Sequence, residues 1–285
     1  MNNYFAGFQD AIYYDNQRNR EVRAAIWYPT QESPEQSTYF NAYTGYVKHH
    51  AVIDKAQFPL ILISHGSKGH RINQHYLAEY LAKQGFIVAA VEHPFDTSFD
   101  DSQSDKQTNL INRPLDVLLV IKRLMSDSFY KTSLDEKNIG MIGHSFGGFT
   151  ALLMAGIFPD YLDCFNKNKV TAYLKNIKGI TLLAPALSEL FDTNCAKTNI
   201  PILFFKSEFD EALGSSDLNY LPLFTNKKLI NLKNTGHYIY LMKCPDKLKD
   251  ICPVICVDKG MQREEIHPIL KKNIAEFFNN TLKMK

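Results

Sequence analysis

The chain has 285 residues, 45% of them hydrophobic, and its 32 basic and 30 acidic side chains leave a net charge of +2. That is enough for one large core, so a single domain over 1–285 is expected. The near balance of charge, with no basic stripe, argues against nucleic acid as a partner, and no apolar run approaches the roughly 20 residues of a membrane-spanning helix.

Met1-Asn2-Asn3 opens a polar start without the basic and apolar regions of a secretory leader. Cytoplasmic residence is therefore expected of the chain as it stands, with a secreted or periplasmic location left open for a chain trimmed of its leader. From Ala11 to Tyr28, two β-rich runs flank turn chemistry at Asp15 to Asn19, which predicts an antiparallel hairpin ended by Pro29. Gln31 to Thr38 reads as polar loop, and Tyr39 to Ala56 shows no clear period.

Phe58 to Ser64, FPLILIS, is the continuous apolar run of a strand buried on both faces. It empties into His65-Gly66-Ser67-Lys68-Gly69, ahead of a helical pattern over Asn73 to Gln84 that Gly85 closes. Phe86 to Val91 is the next buried strand. Glu92-His93-Pro94 follows it, and His93 reads as a structural or pocket-wall residue in a shaped loop. Asp96 to Asn112 is polar and aperiodic, a candidate mobile loop over a site. Helical spacing returns from Pro114 to Met125, with Pro114 suited to a first turn.

Asn138 to Ala155 then holds Gly143-His144-Ser145-Phe146-Gly147, a G-x-S-x-G pattern with a strand before it and a helix behind. A serine exposed at the tip of so tight a turn leaves no room for side chains two residues either side, and the two glycines supply that room. Pro159 to Lys178 reads as an excursion with a short helix. Strands follow at Gly179 to Ala184, Ile200 to Lys206 and Lys228 to Leu232, and a last helix at Pro268 to Leu282. Strands alternating with helices predict a mostly parallel central sheet covered on both faces, with ligands at the strands' carboxyl ends.

The chemistry follows from these placements. Ser145 is the candidate nucleophile, and a serine hydroxyl needs a base that is itself oriented by a third group. Of nine histidines, His237 alone follows a late strand in a glycine-marked loop downstream of an acid. His267 is the runner-up, His144 belongs to the turn itself, and His49, His50, His70 and His75 come too early in the chain. Asp210, after the penultimate strand, is the candidate acid, with Glu208 and Glu211 as alternatives. Backbone N–H groups of Ser67 and Phe146 are the candidate oxyanion donors.

Five cysteines include three, Cys244, Cys252 and Cys256, in one late segment, while Cys164 and Cys195 stand apart. Free thiols in a reducing compartment are the plain reading. A disulfide of Cys256 with Cys244 or Cys252 would imply export, and a zinc site lacks a nearby histidine pair.

The stretches FPLILISHGSKG, GFIVAAVEHP, GHSFGG and LFFKSEFD resemble α/β-hydrolases of the dienelactone-hydrolase-like group, and within it the plasma-type platelet-activating-factor acetylhydrolases and their bacterial relatives. The resemblance implies an α/β-hydrolase fold and a serine esterase or lipase-like acyl hydrolase that uses no metal or cofactor and acts on a small-molecule or lipid ester. Dienelactone hydrolases carry cysteine where this chain has Ser145. The acetylhydrolases take their acid from the loop where this chain has Ala184-Pro185-Ala186, so the resemblance points to Asp210. Short acyl chains are expected, with the 96–112 loop over the entrance. A lipase or phospholipase for longer chains and a non-catalytic binding protein on the same fold are the alternative readings.

Overall fold

The computed structural model describes residues 4–105, 107–159, 175–191, 198–213 and 221–283. Among these described residues ten strands, numbered in chain order, form one sheet in the order β10-β9-β8-β7-β5-β6-β2-β1-β4-β3. Six adjacent strands are mutually parallel, from β10 (Lys227–Leu232) at one edge through β9 (Ile202–Ser207), β8 (Ile177–Leu183), β7 (Leu134–His144) and β5 (Phe58–Ser64) to β6 (Ile87–Glu92). The predicted hairpin is β1 (Phe5–Asp15) with β2 (Arg20–Thr30), and β2 joins the parallel strands by antiparallel pairing with β6.

The strand sequences explain the layering. In β5, Leu60 and Leu62 enter one core while Ile61 and Ile63 enter the other, so alternation persists inside a run buried throughout. The first core lies under α2 (Thr108–Ser126) and α3 (Phe146–Met154), and the second under α1 (His75–Lys83) and the C-terminal helix α4 (Arg263–Leu282). Helix α4 buries Ile266, Leu270, Ile274, Phe278 and Leu282, one stripe at every fourth residue. Each such side chain contributes about 1.5–3 kcal/mol on burial. Gly85 closes α1 at φ +83°.

Several boundaries differ from expectation. Pro29 lies within β2, opposite Ala6, rather than ending it. Pairing with β6 stops at Trp27, so no second neighbour there needs the missing N–H, and the Pro29 carbonyl accepts from Asp54 N (2.9 Å). The 31–56 stretch contains β3 (Glu35–Tyr39) and β4 (Tyr43–His49), an antiparallel pair whose β4 touches β1 through Gly7 and Phe8. Pro114 and Pro268 sit inside α2 and α4 rather than opening them. Helix α4 starts earlier because Gln262 and Glu265 form a reciprocal capping box. The excursion expected over 159–178 falls largely outside the described residues.

Candidate active site

The carboxyl ends of β5, β7, β9 and β10 converge on one cavity of about 390 Å³ whose lining includes Gly66, Ser67, Ser145 and His237. Ser145 sits between β7 and α3 at φ +51°, ψ −120°, a conformation that an L-residue holds only under tertiary constraint. The flanking glycines show why the turn survives. A Cβ on Gly143 would fall on the Gly147 carbonyl, and one on Gly147 would fall on the Ser64 carbonyl of β5. Other non-glycine residues at positive φ, Lys68, Phe95, Ala184 and Leu187, lie on the loops that leave neighbouring strands at this end.

The loops after β9 and β10 bring acid and base together. His237 Nδ1 lies 2.9 Å from Asp210 Oδ2, and both side chains are buried. Asp210 Oδ1 accepts from the amides of Ala212 (3.2 Å) and Leu213 (2.8 Å), so its carboxylate is held in one orientation. The two glutamates fasten the loops to each other. Glu208 accepts from Asn234 N (2.8 Å) and Glu211 from His237 N (2.9 Å).

Ser67 and Phe146 both line a second cavity of about 390 Å³ that also meets Ser145. Among the described residues, neither amide donates to a protein acceptor. Free N–H groups beside a serine are suited to bind a developing oxyanion where they converge on it.

Comparisons with known proteins bear on the fold and on the kind of reaction. The family described as platelet-activating factor acetylhydrolase, isoform II, matches residues 4–116, a span that holds the Ser67 loop and ends before Ser145. A cutinase of Thermobifida alba, est2, is 31% identical over 184 residues, covering 62% of this chain and 52% of that protein. The platelet-activating factor acetylhydrolase of Gallus gallus is 25% identical over 233 residues, covering 64% and 52%. The chain thus spans about half the length of the curated relatives it matches. A ferulic acid esterase from Streptomyces cinnamoneus superposes with a TM-score of 0.74 at 20% identity, over 98% of this chain and 90% of that one. The chain has the α/β-hydrolase fold and resembles the platelet-activating-factor acetylhydrolases.

On this α/β-hydrolase fold the remaining histidines separate cleanly. His267 Nε2 donates to the Leu241 carbonyl (3.0 Å) and its ring stacks on Tyr76, so it has no part in the cavity at Ser145. Burial pushes its imidazole down to about 3. His144 turns from the serine to the His237 carbonyl (3.2 Å), and burial holds it well below its ordinary range and hence neutral. His93 bridges Ser64 Oγ (2.9 Å) and Asp116 Oδ2 (3.2 Å), a structural residue as expected. Cys244 and Cys256 form a disulfide on the cavity wall, and Cys252 is an exposed free thiol. The reading of free thiols throughout the late cluster is thereby corrected. Cys164 and Cys195 lie outside the described residues.

The 96–112 loop is shorter than expected, because α2 begins at Thr108. Its Ser104, Asp105 and Gln107 line the second cavity opposite Ala186, Leu187 and Leu190. Sequence reasoning missed a buried ionic cluster beneath it. Arg113 Nη1 donates to Asp96 Oδ2 (2.7 Å), and Asp116 takes both Arg18 (2.8 Å) and Arg20 (3.1 Å). Burial lowers Arg113 to about 10, with Asp96 opposing the shift, so the guanidinium stays charged at neutral pH. The available signal was Arg113 standing on the apolar stripe of α2, among Leu110, Val117 and Leu124.

Proposed function

We propose that this protein hydrolyses carboxylic esters through an acyl-enzyme intermediate. Ser145 attacks the carbonyl, His237 takes the hydroxyl proton on Nε2 and returns it to the departing alkoxide, and Asp210 fixes the Nδ1–H tautomer and balances the imidazolium. The N–H groups of Ser67 and Phe146 hold the tetrahedral oxygen. The observation that carries this reading is the strained Ser145 turn facing the same cavity as a histidine bound by a buried carboxylate. The similarity to cutinases, an acetylhydrolase and a ferulic acid esterase supports an ester as substrate.

Proton return also sorts the two cavities. The leaving oxygen must come within hydrogen-bond reach of His237, so the cavity that His237 lines takes the alcohol part of the ester. The acyl group then points into the other, where Leu110, Phe146, Leu187 and Leu190 provide a small apolar wall under a polar rim. That favours short acyl chains. One observation speaks for longer, aggregated lipid instead: Ile251, Val254, Ile255 and Val257 are exposed, and Ile255 lines the alcohol-side cavity.

Ser145→Ala should fold as the native chain does yet lose turnover of a short-chain nitrophenyl ester and labelling by a fluorophosphonate. Turnover at the native rate in that variant would sink the proposal. A profile of rate against acyl length, with and without micelles, separates esterase from lipase: interfacial activation with long chains preferred supports the second reading.

A further inference from the structure

Two oxyanion donors on different elements work only if something holds those elements in register. One amide belongs to the loop after β5, the other to the first turn of α3, and a shift of either spoils donors that must already point at the developing charge. The guanidinium of Arg113, on α2, touches both sides. Through Nη1 it binds Asp96, whose other oxygen accepts from Ser67 Oγ (3.0 Å) and Lys68 N (2.9 Å). Through Nη2 it donates to the His65 carbonyl, at the root of the same loop. Its Cζ also lies 4.4 Å from the centre of the Phe146 ring, the residue that supplies the second amide.

We propose that Arg113, with Asp96, is a positioning residue that sets the two oxyanion donors relative to each other. This rests on the reading of Ser67 and Phe146 as those donors. Arg113 and Asp96 are both fully buried, so neither touches substrate, and the pair acts through the loop and the ring. Lys68 stands at φ +57°, next to the donor, and the Asp96 bond to its N–H fixes that turn. A lysine at 113 keeps the charge but lacks the planar fork and the stacking face, so it cannot serve both sides at once.

The test is Arg113→Lys on the full chain, assayed with a short-chain nitrophenyl ester and with an alkyl boronic acid that forms a tetrahedral adduct on the serine. Loss of one donor outright lowers kcat by roughly 10²–10³-fold, and misplacement should do less, about 10–100-fold. KM should stay within about twofold while boronate affinity falls in parallel with kcat, since only the tetrahedral oxygen uses these amides. Native kcat and boronate affinity in a folded Arg113→Lys variant would overturn the inference. Should that variant fail to fold, Ser67→Ala removes an exposed hydroxyl from Asp96 and keeps the backbone amide. It should then lose kcat by about three- to tenfold at constant KM, as a weaker form of the same displacement, and native kcat there overturns the inference equally. An active Ser145→Ala enzyme would instead remove the underlying reading, so the two failures are distinct.

Discussion

Replacing Asp210 with asparagine removes one charge and almost no volume, and the surrounding bonds dictate how the new side chain must sit. Asp210 Oδ1 accepts from two backbone amides, Ala212 and Leu213, so the asparagine carbonyl must stay there and its NH₂ must face His237 Nδ1. A donor at that point forces the proton of the neutral imidazole onto Nε2, the nitrogen that has to accept from Ser145. The imidazolium also loses its counter-charge. Unit charges at the observed 2.9 Å attract by about 6 kcal/mol at an effective dielectric near 20, and somewhat less between the true charge centres. At about 1.4 kcal/mol per tenfold, kcat should fall by about 10³–10⁴, the range this substitution produces in other serine triads. The assay is kcat on a nitrophenyl ester, with circular dichroism to show an unchanged fold and Glu211→Gln as control. The control should stay within about threefold, because a glutamine oxygen still accepts from His237 N. An Asp210→Asn enzyme within tenfold of the native rate, or a Glu211→Gln enzyme that is inactive, would refute the assignment of the acid.

Gly147→Ala would drive a methyl onto the Ser64 carbonyl; a loss of about 1–3 kcal/mol or more is expected in urea unfolding, and a native midpoint would contradict the packing of α3 on β5. His65, His70, His93, His144 and His267 all have folded-state values pushed below 6.5, chiefly by burial. The unfolded chain therefore binds more protons below its own value near 6.5, so stability is full above that pH and declines as pH falls toward the folded values. Each histidine contributes up to about 1 kcal/mol of that decline between pH 6.5 and 5.5. Urea midpoints that do not move between pH 7.5 and 5.5 would show that these rings charge freely in the native state. In protein folded under oxidising conditions, Cys256→Ser should lose about 3 kcal/mol from opening a loop with a 12-residue separation, whereas Cys252→Ser should unfold as the native chain does. The reverse pattern would assign the bond to Cys252.

The stretch around Ser145 was legible without a structure because its pattern is local: Gly143 and Gly147 flank the serine within five residues, even though the carbonyl that Gly147 makes room for belongs to Ser64 on the neighbouring strand. The buried strands β5, β6 and β9 were legible for the same reason, an apolar run bounded by turn residues. The pair β3 and β4 was not. Its attachment to β1 joins residues some 40 positions apart, and its tyrosines and histidines carry no clean alternation. The sequence favoured Asp210 by its place after the penultimate strand but left Glu208 and Glu211 open, since three acids in four positions look alike, and what each carboxylate meets is visible only in the fold. Their separation depends on the register of β9 against β10, which points one carboxylate at the His237 ring and leaves the others for backbone amides. Arg113 and Asp96 stand 17 residues apart on a helix and a loop. Only their joint burial beneath the Ser67 loop makes them partners, because a charge removed from water must find its counter-charge wherever the fold has placed one.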